Sequence, residues 1–163
     1  MAATLIYAQT YIEDLHKGEH NLCGTSPDTV KLALMNTTFT FDPKTADAWD
    51  NTNEITTAGG YVAGGTTLTA LAVASTADTL EIAYVNYNII QTLLTCTNNP
   101  TWTATGANMD EVGAAVVYNS TTSKVIGCID FGGVTHQTLV DKMFQVNLGN
   151  GLAAAKIITS EVV

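Results

Sequence analysis

At 163 residues, with 46% hydrophobic and only 13% charged residues, the chain is long enough to bury a core and too apolar for disorder. Six lysines, no arginine and fifteen acids give a net charge of −9, which excludes a broad phosphate-neutralising surface, so no nucleic acid is expected as a partner. No apolar run approaches the roughly 18 residues of a membrane span, and no basic residue precedes Lys17 to start a signal peptide. Synthesis in the cytoplasm and no membrane partner are therefore expected.

Thr4 to Lys17 reads as a helix, because Leu5, Ala8, Ile12 and Leu15 recur at three- and four-residue spacing. Gly18 is its stop signal. From Val30 the period changes to two: Val30, Leu32 and Leu34 alternate with Lys31, Ala33 and Met35, as in a strand with one buried face. Residues 36 to 58 form a long polar loop, with Asp42-Pro43 marking a turn and Thr45 to Asp50 a short helical turn. Unstructured loops of this length are usually functional or contact something. Trp49 is read as the anchor of this loop, with an exposed interface position as the alternative.

Gly59-Gly60 and Gly64-Gly65 bracket Tyr61-Val62-Ala63 and permit a tight backbone approach. Strands are then expected at Thr66 to Val73, Leu80 to Tyr87 and Ile89 to Thr97, with a bend at Asn86 to Asn88. Asn98-Asn99-Pro100 is a turn and Thr101-Trp102-Thr103 a short strand. Val112 to Phe131 is the clearest hairpin, turning at Asn119 to Ser123 and ended by Gly132-Gly133. Met143 to Leu148 places Phe144, Val146 and Leu148 on one face; Asn150-Gly151 is a turn and Ala154 to Ile158 a last strand. Short strands at even spacing predict an all-β fold: an antiparallel sandwich, jelly roll or barrel with one N-terminal α-helix. We read residues 1–163 as a single β-rich domain, with a helical arm over 1–20 and the β-core over 28–163.

Few residues suggest chemistry. His16 and His20 are spaced for zinc, but Gly18 interrupts the helix and Glu19 is misplaced for the HExxH pattern. His136 has no cysteine or serine partner in sequence. Asp42, Asp47, Asp50 and Glu54 share a loop without the EF-hand spacing, and a solvated acidic loop is the default reading over a Ca²⁺ site. Asp110-Glu111 reads as a turn pair. Cys96 and Cys128 sit in apolar runs, and Cys23 lies apart; buried thiols are expected rather than disulfides. The glycine pairs lack the lysine of a nucleotide loop, and no G-x-S-x-G occurs. No catalytic residue, metal or cofactor is therefore expected, and the chain is not read as an enzyme.

The layout resembles that of small bacteriophage virion proteins. The resemblance rests on the N-terminal segment Leu5 to Leu15, the strand Val30-Lys31-Leu32-Ala33-Leu34, the acid and tryptophan of Asp47-Ala48-Trp49, and Gly60-Tyr61-Val62-Ala63-Gly64-Gly65-Thr66-Thr67-Leu68. A hairpin from Ala114-Ala115-Val116-Val117-Tyr118 to Ile129-Asp130-Phe131-Gly132 completes it. The departures are a longer, Thr/Asn-rich stretch at Asp78 to Thr105 and no tryptophan in the last strands. The resemblance implies a capsid decoration, or cement, protein on the virion exterior. Its partners would be the major capsid protein and itself, as a homotrimer. Alternatives are a tail or fibre component, with Trp49 or Trp102 stacking on host glycan, and a hydrolase of the host envelope. The interface candidates are Leu5, Ile12, Leu15, Phe39, Phe41, Trp49 and Tyr61.

Overall fold

In the computed structural model the described residues are 4–22, 25–69, 72–82, 85–96, 98–133, 135–148 and 156–159. They form ten strands and a single helix. The principal sheet has the order β1-β8-β7-β2-β3, built from Thr4–Tyr7, Lys124–Asp130, Ala114–Asn119, Val30–Met35 and Thr66–Thr67 respectively. A second sheet joins β10 (Lys156–Thr159), β9 (Met143–Asn147) and β6 (Thr101–Thr103). A third is the two-stranded ribbon of β4 (Ala72–Ile82) and β5 (Val85–Thr95). All pairings are antiparallel, so the all-β expectation holds. The barrel expectation does not: among the described residues no sheet closes on itself.

The alternation of β2 predicted one buried face, yet Val30, Leu32, Ala33, Leu34 and Met35 are all fully buried. Both faces are covered, because β2 lies inside the principal sheet and that sheet carries a layer on each side. On one side Tyr61, Trp102, Phe144 and Phe131 form a chain of rings at 5.9, 6.1 and 6.0 Å, linking the second sheet to the end of β8. On the other, residues 36–58 cross the sheet as a strap. In β9 the alternation holds as expected, with Phe144 and Val146 buried and Met143, Gln145 and Asn147 half-buried. The hairpin of β7 and β8 also holds. Its turn is closed by the buried Asn119, whose side-chain oxygen accepts from the Thr121 and Thr122 N–H groups at 3.0 and 3.3 Å.

The N-terminus differs from the expected helix. Thr4–Tyr7 is a strand, paired with β8 from Thr4↔Asp130 to Tyr7↔Gly127, and α1 spans only Gln9–Lys17. The free edge of β8 offers four residues a hydrogen-bonding ladder, which outweighs the weak helical preference of Thr4 and Ile6. Leu5 and Ala8 are buried as expected, but Ile12 and Leu15 are 52% and 39% exposed. The buried face of α1 instead carries Tyr11 and Asp14. Docking sets this phase, since Tyr11 stacks on Tyr7 at 5.6 Å and meets the His20 ring edge at 5.1 Å. Gly18 ends α1 in the left-handed region, as expected.

The middle of the chain also differs. Thr66 to Val73 is not one strand: two residues form β3, and β4 begins at Ala72. The expected bend at Asn86 to Asn88 lies inside β5, which pairs without interruption from Ala72↔Thr95 to Ile82↔Val85. The turn expected at Thr45 to Asp50 sits earlier, where Ala46 N–H donates to Asp42 O at 3.0 Å, because the Asp42 carboxylate accepts from Lys44 N–H and fixes it. The last strand begins at Lys156; residues 154–155, Asn150-Gly151 and Cys23 lie outside the described residues.

Gly60 and Gly65 show why the paired glycines are needed. Gly65 has φ +68, and a Cβ there would lie 2.1 Å from the Leu32 carbonyl oxygen. Gly60 has φ +81, with Thr103 O at the same distance. We expect Gly65→Ala to destabilise the fold by at least about 3 kcal/mol in urea unfolding, since backbone strain and a backbone clash add. Gly18→Ala, with the same sign of φ but open space around it, should lose only about 1 kcal/mol. The β4–β5 ribbon forms its own sheet, so trimming it should leave the core intact. Replacing residues 76–91 by an Asn-Gly turn between the paired Ser75 and Thr92 is expected to keep stability within about 1 kcal/mol.

Candidate functional site

The strap of residues 36–58 covers the face of the principal sheet that carries Val116 and Tyr118. One end is hydrogen-bonded to β2 and its flank, through Asn36 N–H to Asn53 O at 2.9 Å and Ile55 N–H to Leu34 O at 3.1 Å. The other end is bonded across β8, through Trp49 N–H to Ser123 O at 2.8 Å and Val125 N–H to Asp47 O at 2.7 Å. The arm joins it as well: Gln9 N–H reaches Pro43 O at 2.7 Å and the Thr10 hydroxyl reaches Ala46 O at 2.6 Å. Trp49 lies flat on Tyr118, with ring centroids 4.2 Å apart and planes 9° from parallel. It is an anchor, as expected, and remains half-exposed.

An irregular strap cannot cover a pleated sheet evenly. Phe39 and Phe41 form a ridge with a hollow on each side. One hollow, about 370 Å³, is lined by Ile6, Phe39, Phe41, Ala114, Cys128 and Asp130 among others. The other, about 200 Å³, is lined by Phe39, Phe41, Asp42, Trp49, Asp50 and Val116 among others. Three interface candidates, Phe39, Phe41 and Trp49, are thus brought together. Ile12 and Leu15 stand exposed on α1. Leu5 and Tyr61 need correction, because both lie in the core and offer no surface to a partner. The Tyr61 hydroxyl instead accepts from Leu34 N–H at 3.1 Å and donates to Glu54; burial, and then the bond to Glu54, push its pKa well up. Ile6, 42% exposed in the first hollow, was missed. Reading Thr4 to Tyr7 as a strand, with Leu5 inward, would have turned Ile6 outward.

The loop acids do not converge. Asp42 binds its own turn, Asp50 caps Thr52, Glu54 accepts from Tyr61 and Gly64, and Asp47 pairs with Lys124 at 2.7 Å. Asp110 accepts from the Thr56 N–H and hydroxyl. Among the described residues no group of three histidine, cysteine or acidic side chains is placed to hold a metal ion. Burial pushes the Cys128 thiol up to about 12 and also raises that of Cys96. His136 bonds to Val112 in both directions through its backbone and packs its ring on Phe131 at 5.8 Å.

A polar cluster lies beneath α1. Lys124 contacts Asp47, Glu19 and Asp14 at 2.7, 3.4 and 3.7 Å, and the bond to Asp47 chiefly raises its pKa to about 12. His16 stays exposed on α1, whereas His20 turns inward past Gly18, so the two do not form a ligand pair. The Asn119 side-chain nitrogen donates to Asp28 at 2.7 Å and to His20 Nδ1 at 3.1 Å. His20 Nδ1 therefore accepts, and its proton sits on the buried Nε2, which has no hydrogen-bond partner among the described residues. Burial lowers the His20 pKa, against the opposing pull of Asp14, Asp28 and Glu19, with Lys124 adding to the depression.

The folded protein thus resists a proton that the unfolded chain accepts near the ordinary value of about 6.5. The stabilisation is complete above that pH and is lost as pH falls from it toward the lower folded value. Unfolding free energy should drop within that window with a slope of up to about 1.4 kcal/mol per pH unit. In His20→Gln the drop is expected to flatten, as measured by urea unfolding across mildly acidic pH.

Comparison with protein-family models, curated proteins and solved structures finds no match for this chain. Fold and site together define an acidic, antiparallel β-protein that presents an aromatic groove on its principal sheet. Among the described residues no helix is long and apolar enough to cross a membrane.

Proposed function

We propose that the chain is a bacteriophage structural protein that decorates the capsid exterior and clamps neighbouring shell subunits by binding alone. The observation that carries the reading is the strap: half-exposed aromatic side chains held by backbone hydrogen bonds at both ends over a fully buried strand. Such a surface is preorganised, so little side-chain entropy is lost on contact. The sequence resemblance to phage virion proteins supplies the setting. The absence of arginine and the charge of −9 suit an outward-facing position, away from packaged DNA. Apolar and hydrogen-bonded contacts also tolerate varied salt better than ion pairs do. A homotrimer would match the three-fold symmetry of shell junctions.

The glycan-binding alternative draws less support. Trp102 is 5% exposed and offers no face to a sugar ring, and Trp49, stacked on Tyr118, offers one side only. Quantitative mass spectrometry of purified particles is the test. Hundreds of copies per particle, in proportion to the shell protein, are expected. A handful would place the chain in a tail or fibre, and absence from the particle would overturn the virion reading.

A further inference from the structure

The two hollows beside Phe39 and Phe41 share an acidic rim. Asp130 lines the first, and Asp42 and Asp50 line the second; all three are exposed. Each carboxylate is held in place by its own turn, through Gly132 N–H to Asp130 at 2.8 Å, Lys44 N–H to Asp42 at 2.9 Å and Thr52 N–H to Asp50 at 2.9 Å. The bonds from Thr52 also hold the Asp50 carboxyl below its ordinary pKa, so its charge persists into mild acid. Among the described residues no lysine lines either hollow. Lys44 follows Asp42 closely in sequence but lines neither, and Lys124 is occupied by Asp14, Glu19 and Asp47.

We propose that this groove is the docking site for an extended segment of a different protein, one that alternates aliphatic residues with arginine or lysine. Two hollows flanking one ridge suit successive same-side residues of an extended chain, whose side chains point alternately to opposite sides. The apolar residues of the hollows take the aliphatic groups, and the arginine or lysine side chains, which leave the outer side of the segment, are long enough to bend to the acids at the rim. Charge complementarity selects a foreign partner over a second copy. This chain has no arginine, carries −9, and engages Lys17 and Lys124 with its own acids. A groove with a negative rim on a negative protein repels its own kind. The inference rests on the reading of the chain as a binding protein and names the chemistry of what it binds.

The test uses the full chain and two fluorescein-labelled synthetic peptides. One alternates valine or leucine with arginine; the other carries glutamate in place of arginine. Fluorescence anisotropy is expected to show the arginine peptide binding at least roughly tenfold more tightly, and progressively more weakly as salt is raised. The variant D42N/D50N/D130N keeps the turn-capping oxygens and should weaken binding roughly tenfold or more. The variant E13Q/E111Q/D141N removes the same charge elsewhere and should leave binding unchanged. Phe41→Ser should also weaken it, with circular dichroism confirming the fold.

Equal binding of the two peptides would overturn the proposal. So would equal losses in both triple variants, which would mean non-specific attraction to an acidic protein. Concentration-dependent self-association in sedimentation, abolished by Phe41→Ser, would overturn it in favour of a second copy. The peptide result does not depend on virion copy number. No peptide binding by a chain present in hundreds of copies would sink the groove and leave the capsid reading standing.

Discussion

The burial of β2 on both faces is the constraint on which the rest of the molecule depends. A strand with apolar residues at nearly every position cannot present one side to water without losing much of its hydrophobic stabilisation. The sheet around Leu32, Ala33 and Leu34 must therefore be covered twice. The second sheet supplies one cover with Trp102, Phe144 and Val146. The other cover is a polar segment with little regular structure, and this is why residues 36–58 bind the sheet through backbone groups and one stacked tryptophan. The groove follows from the same arrangement, because Phe39 and Phe41 cannot fill the pleated surface as a second sheet would.

Scarcity of positive charge shapes the polar half of the structure. Lys124, at the start of β8, gathers acids from α1, from the segment after it and from the strap. It therefore ties three separate parts of the chain to one hairpin. Next to it the His20–Asn119–Asp28 network joins the arm to the other strand of that hairpin. Among the described residues two buried atoms lack a hydrogen bond, the donor Nε2 of His20 and the acceptor Oδ2 of Asp14, of which the second keeps its ion pair with Lys124 at 3.7 Å. A buried donor left without an acceptor weakens a fold, so the arm is held by a junction that is well packed but leaves His20 Nε2 unsatisfied.

These two features divide the surface into parts with different chemistry. The arm side exposes Ile12 and Leu15 above a buried polar junction, and the strap side is aromatic, rimmed by acids and hydrogen-bonded to β2. Binding by a preorganised aromatic surface needs no catalytic constellation, and the proposed capsid role asks for nothing more. The ribbon of β4 and β5 stands apart from both, since it pairs only within itself among the described residues.

Much of the framework was legible in the residues. The strand at Val30–Met35, the hairpin turning at Asn119, the alternation of Phe144 and Val146, and the stop at Gly18 all follow from local period and turn chemistry, which are properties of neighbouring residues. The candidate site was legible only in part. Phe39, Phe41 and Trp49 were visible as aromatic residues in a polar loop, but their meeting beside Ile6 and Asp130 depends on contacts between segments far apart in sequence. The same holds for the N-terminal strand, which exists because β8 has a free edge. It holds too for the helix face that carries Tyr11 and Asp14 rather than Ile12 and Leu15. The sequence by itself determined where the chain alternates, turns and stops, and that it is acidic. The tertiary structure alone decided which faces are covered, because burial belongs to pairs of elements and not to either one.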